Sequence, residues 1–98
     1  MAKGYWIARV TVTNPERYKD YVTANAIAFA KYNARFLVRG GQHEAIGGPP
    51  GARRHVVLEF DSYAIAKACH ESPEYQAAAK IRDEASTAEL IIIEGYDG

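Results

Sequence analysis

The stretch GYWIARVTVTNPERYKDYV, Gly4 to Val22, changes its hydrophobic period halfway along. From Gly4 to Thr13, β-branched and aromatic residues dominate, as they do in a strand. Asn14 then offers a helix N-cap, Pro15 suits the first helical position, and Glu16 sits favourably at a helix amino terminus. Tyr18, Tyr21, Val22, Asn25, Phe29 and Tyr32 recur at helical spacing, and Asn33 can adopt the left-handed conformation that ends the helix. A strand running into an amphipathic helix is the first half of a βαβ unit, and the rest of the chain has to complete it.

It does so twice. ARFLVRGG, residues 34–41, reads as a second strand closed by Gly40-Gly41. GGPPG, Gly47 to Gly51, reads only as a loop, and RRHVVLEF, residues 53–60, as a third strand. Ser62 caps one helical segment and Ser72, followed by Pro73 and Glu74, restarts another. The helical region therefore breaks near residue 72, where the proline disfavours helical geometry. AELIIIEGY, residues 88–96, is the last strand. The order βαββαβ predicts an α+β, ferredoxin-like fold: a four-stranded antiparallel sheet with its helices on one face.

Ninety-eight residues make one domain, 1–98, with a modest core. Twelve basic and twelve acidic residues cancel, and the longest basic run is Arg53-Arg54, so nucleic acid is not an expected partner. The longest unbroken apolar run, Ala26 to Ala30, is too short to cross a membrane. A single cysteine and the lack of a signal-peptide pattern at the amino terminus predict a cytoplasmic protein.

Strict alternation assigns each strand residue to a face. Trp6, Ala8, Val10 and Val12, with Phe36, Val38, Val56, Leu58 and Phe60, form the apolar, helix-covered set. Tyr5, Ile7, Arg9, Thr11, Arg35, Leu37, Arg39, His55, Val57 and Glu59 form the other. Leu90, Ile92 and Glu94 can join that second face, although Ile91 and Ile93 fit nearly as well. A half-apolar face carrying charges of both signs predicts a homodimer packed sheet to sheet.

The blocks GYWIARVTVTNPERYKDYV, ARFLVRGG, RHVVLEF, SPEYQAAAKIR and IIIEG, in that order, resemble a bacterial family known only as a domain of unknown function, number thirteen-thirty. The resemblance implies the dimeric α/β-barrel superfamily, in which two ferredoxin-like subunits bring their sheets together with the helices outside. That superfamily includes cofactor-free monooxygenases, lactone isomerases and haem enzymes, so the fold does not fix an activity. The chain departs from the family pattern at Asn33-Ala34, where a glycine pair is usual, at Asp61, where proline is common, and at Cys69-His70, where aromatics are frequent. The last change can enlarge or repolarise a pocket beside the second helix.

Arg39 admits two readings. Its planar fork can grip a carboxylate or enolate while Gly40-Gly41 opens backbone N–H groups to a ligand, or it can pair with Glu59 or Glu94 across a dimer barrel. Asn25 interrupts an apolar helical stripe, so its amide either finds partners or faces a cavity, together with Trp6, Tyr32, His70 and Tyr75. His43, His55 and His70 lack metal-ligand spacing, so no metal and no cofactor is expected. Cys69 and His70, adjacent on a helix, do not face each other, and Cys69 reads as a small buried residue. The candidate ligand set is Asn25, Tyr32, Arg39, Gly40, His55, Glu59, His70 and Tyr75. The expected function is a small-molecule enzyme or binding protein acting without a bound metal on a conjugated or carboxylate-bearing ligand. The alternative is a non-catalytic homodimeric module whose charges only specify the dimer.

Overall fold

In the computed structural model, which describes residues 2–48 and 53–97, the expected elements succeed one another in order. Strand β1 (Gly4–Val12) leads into α1 (Pro15–Lys31), where the Asn14 side chain accepts the Arg17 N–H at 3.1 Å. Asn33, at φ 56°, turns the chain into β2 (Arg35–Arg39). Strand β3 (Arg54–Phe60) precedes α2 (Tyr63–Glu71), α3 (Pro73–Ala85) and β4 (Ser86–Glu94). The break between α2 and α3 falls at Ser72, whose hydroxyl donates to Cys69 O at 2.6 Å and accepts the Tyr75 N–H at 3.2 Å. Of the predicted Gly47–Gly51 loop, Pro49, Pro50 and Gly51 lie outside the described residues.

The sheet is antiparallel in the order β2-β3-β1-β4, the ferredoxin-like arrangement. Helices cover one face. There Trp6 anchors the core, its indole N–H donating to Ala66 O at 2.8 Å and its ring set edge-on to Phe29 and Tyr75. With only one face covered, the molecule is a slab 17 Å thick against 36 and 34 Å in the other directions.

Register corrects the facial assignment twice. In β4, Ile92 stands opposite Trp6 and Leu90 opposite Ala8, so both pack on the core, while Ile91 and Ile93 take the open face beside Ile7 and Tyr5. Alternation alone cannot phase an unbroken run such as Leu90–Ile93. In β2 the pairing slips between Phe36 and Val38: Phe36 opposes Leu58, Val38 opposes Val57, and Arg39 opposes Val56. One extra residue in a strand, a bulge, reverses the facing of everything after it. Val38 therefore moves to the open face and Arg39 to the helix-covered one.

Candidate functional site

The bulge carries Arg39 to the end of a pocket between α1 and the sheet. Asn25, Phe29, Tyr18, Tyr21 and Val22 descend from α1, Trp6, Val10, Phe36, Val56 and Leu58 rise from the strands, and Tyr75 and Arg82 enter from α3. Its volume is about 40 Å³. No Asp or Glu is among these lining residues, whereas three arginines are: Arg39, Arg54 and Arg82.

At one side Tyr21 and Tyr75 join their hydroxyls at 2.9 Å, and Arg82 Nη1 donates to the Tyr75 hydroxyl at 3.0 Å. Burial pushes the Tyr21 phenol far above the ordinary tyrosine range, and the neighbouring Tyr75 adds to the shift. Burial also raises the Tyr75 phenol, against the opposing hydrogen bonds from Tyr21 and Arg82. Both are therefore neutral donors at physiological pH. Arg82 supplies one hydrogen to Tyr75 and the two phenols share a second, which leaves one phenol hydrogen to spend. Asn25, 5% exposed, lies beside the Tyr21 hydroxyl, and its hydrogen bond there holds back part of the phenol's rise. A donor hydrogen and an amide thus meet at one wall of the pocket.

Arg39 and Arg54 stand together near the Tyr18 hydroxyl. Burial raises the Tyr18 phenol, and the two guanidiniums hold that rise back. Arg39 lies over the Phe36 ring, 4.2 Å from its centroid. Among the described residues neither arginine forms an ion pair. Within one chain, then, Arg39 pairs with neither Glu59 nor Glu94, the partners expected for it across a dimer barrel. Glu59 faces the other way, bound to Arg35 Nε at 3.0 Å and to the Tyr5 hydroxyl at 3.1 Å.

The remaining candidates scatter. Gly40 has φ 65°, and its N–H is already bonded to His55 O at 2.8 Å, so it does not present a free donor to a ligand as predicted. Tyr32 caps α1 and packs partly against the core without lining the pocket. His70 meets the rings of Trp6 and Tyr75 at 5.7 and 5.5 Å but does not line the pocket either. Burial lowers its basicity, with Arg82 adding to the effect. His55 is on the open face, set against the His43 ring at 4.5 Å in a separate cleft with Arg9. Cys69 is fully buried, its thiol pushed up to about 12 by burial, and is no nucleophile. Among the described residues no group of three His, Cys, Asp or Glu could hold a metal, and no helix is long and apolar enough to cross a membrane.

Sequence reasoning brought Asn25, Arg39 and Tyr75 to the same place but missed Arg54 and Arg82. Both had a signal. Arg54 shares the parity of Val56, Leu58 and Phe60, and Arg82 lies two helical turns after Tyr75.

A ferredoxin-like α+β domain with an arginine-flanked aromatic pocket under its helices is the class that fold and site define. The chain belongs to the family described as Domain of unknown function (DUF1330), which matches residues 3–96. No curated protein matches it. Among solved structures it is similar to a protein of unknown function from Rhodopseudomonas palustris, with TM-score 0.76 and 19% identity over 99% of this chain and 85% of that one. It is similar to SnoaB, a cofactor-independent oxygenase from Streptomyces nogalater, with TM-score 0.65 and 15% identity over 100% and 97% of the two chains. A dimeric ferredoxin-like protein of unknown function from Thermobifida fusca gives TM-score 0.61 and 17% identity over 95% and 89%. At these identities the likeness is one of fold.

Proposed function

We propose that the pocket beneath α1 binds a small conjugated molecule bearing an oxyanion, a carboxylate or an enolate, and that two copies of the chain associate through their open sheet faces. The observation that carries this reading is a pocket lined by aromatic rings and three arginines with no carboxylate among its lining residues. Arg82 is paired with Asp83 at 3.2 Å, but Arg39 and Arg54 have no carboxylate among the described residues, and such guanidiniums beside apolar walls favour a ligand that is planar and negatively charged. The spare phenol hydrogen and the Asn25 amide match an oxygen at the ligand's other end. Fixed donors around a delocalised oxyanion are also how an enzyme stabilises charge as it develops. SnoaB, with the same fold, is a cofactor-independent oxygenase, which supports chemistry of that kind. The dimer is supported by Ile7, Leu37, Val38, Ile91 and Ile93 standing exposed together on the open face, and by the dimeric relative from Thermobifida fusca.

One observation favours the non-catalytic module instead. A volume of about 40 Å³ holds water but not a molecule of drug size without side-chain movement. Trp6, the only tryptophan, lines the pocket, so its emission reports occupancy. Titration with aromatic carboxylates and enolisable diketones is expected to change that emission saturably, and more weakly in Arg39→Met. An emission unmoved at millimolar concentrations, with an unshifted thermal midpoint, would favour the module.

A further inference from the structure

The inner pocket is small, but it has a neighbour. An open groove of about 480 Å³ is lined by Val10, Val12, Gly40, Gly41, His43, Arg53 and Arg54, again with no acidic residue among them. Pocket and groove share two residues, Val10 and Arg54, which stand opposite each other in the β1–β3 pairing. Arg54 therefore forms the partition between a narrow aromatic space and a wider, cationic one. Its Nε is buried with no hydrogen-bond partner. Its guanidinium lies where Gly40 lacks a side chain: a Cβ there would fall 2.7 Å from Arg54 Cζ. Arg53, next to it, already has Glu89 at 3.1 Å. Arg54 has no such partner among the described residues, and Arg39 stands beside it without one as well.

We infer that Arg54 is the specificity-determining residue of this site, selecting an aromatic acid whose ring enters the inner pocket as its lining side chains move apart and whose carboxylate stays at the partition. This rests on the pocket reading proposed for the function and adds the ligand's orientation. A guanidinium with an unpaired buried N–H gains a hydrogen bond and a counter-charge at once when a carboxylate arrives, and its fork donates to both oxygens. A neutral amide of the same shape fills the ring site and can offer that N–H one carbonyl oxygen, but it brings no counter-charge and no second acceptor for the fork. The groove accommodates whatever the acid carries beyond its carboxylate. Gly40 matters here because it leaves room for Arg54 to lie across the opening.

Two probes of one shape separate charge from fit: cinnamate and its neutral amide, titrated calorimetrically against the parent chain. The parent is expected to prefer the acid at least tenfold. Arg54→Gln should weaken cinnamate tenfold or more and change cinnamamide less than twofold, while still melting cooperatively. Arg54→Lys, which keeps the charge but not the fork, should recover part of the preference. If Arg54→Gln retains the parent's preference, or loses both probes equally, the role assigned to Arg54 is overturned while the pocket reading survives. If the parent binds neither probe, the inference about Arg54 is overturned, and the pocket reading stands or falls separately on the diketone titration.

Discussion

On the open face of the sheet Arg35 reaches Glu59 at 3.0 Å and Asp61 at 3.1 Å, and Arg53 reaches Glu89 at 3.1 Å. On the covered face Arg39 and Arg54 reach no carboxylate among the described residues, although both border a pocket walled by aromatic rings. The same residue type is used in two ways a few ångströms apart. Under the proposed dimer the open-face charges would be covered by protein, and they are paired in advance, as an unpaired charge in an interface is costly. Of the two unpaired arginines beside the cavity, Arg39 is exposed to solvent, so it is the half-buried Arg54 that carries such a cost until a ligand relieves it. Arg9 stands between the two cases, an open-face arginine without an ion pair among the described residues, facing the cleft of His43 and His55.

The largest effect should come from uncovering what the open face is for. Ile91 is 53% exposed opposite Ile7 in the β1–β4 pairing. Ile91→Glu places an unpaired carboxylate at the middle of the proposed dimer contact. Central interface residues of this kind cost about 2 kcal/mol or more when disrupted, which is over tenfold in association. Light scattering should show a dimer for the parent and a monomer for the variant at micromolar concentration. A parent that is monomeric, or a variant that dimerises as well, would mean that the open face is merely wet.

Much of this contrast could be read from the sequence, and the part that could not has a definite cause. Each helix start was visible because its cap is local chemistry: Asn14, Ser62 and Ser72 all accept a backbone N–H three residues on. Asn25 was legible as an amide inside an apolar stripe. Arg39 was misplaced because facing by alternation assumes one residue per step, and the extra residue at Leu37 leaves no mark in composition. The glycine at Gly40, with φ 65°, is the only local trace of the irregular strand end. Arg54 and Arg82 were legible by period but were passed over, since an arginine on an apolar face looks like an exception until the cavity beside it is seen.

A smaller effect should appear on the acid side of the stability profile. The Arg35 guanidinium holds the Glu59 carboxyl below the ordinary carboxylate range, with the Tyr5 hydroxyl helping against the effect of burial. A carboxyl depressed in the folded state stabilises that state above its unfolded pKa and loses this contribution as the pH falls through the folded value. The parent's thermal midpoint should therefore drop more steeply than that of Glu59→Gln between about pH 5 and pH 3, where glutamates titrate. Parallel profiles would mean that the open-face pair is too solvated to matter, and the contrast with the covered face would lose one side.

The smallest effect is expected at Arg39. A buried ion pair broken on one side costs roughly 3–5 kcal/mol, and each kcal/mol moves the midpoint of a domain this size by roughly 4–8 °C. Arg39 has no such pair to lose. What holds it is the face of Phe36, 4.2 Å away, an exposed contact of the kind worth about 0.5–1 kcal/mol. Methionine at this position keeps much of the packing against the ring. Arg39→Met should accordingly shift the midpoint by no more than a few degrees, measured at equal concentration with the oligomeric state monitored by light scattering. A fall of tens of degrees would require a carboxylate partner that the isolated chain does not supply, and would place Arg39 with the open-face arginines as architecture. An unchanged midpoint combined with weakened binding of an aromatic acid would separate the two roles at a single residue, since function is then lost where stability is not.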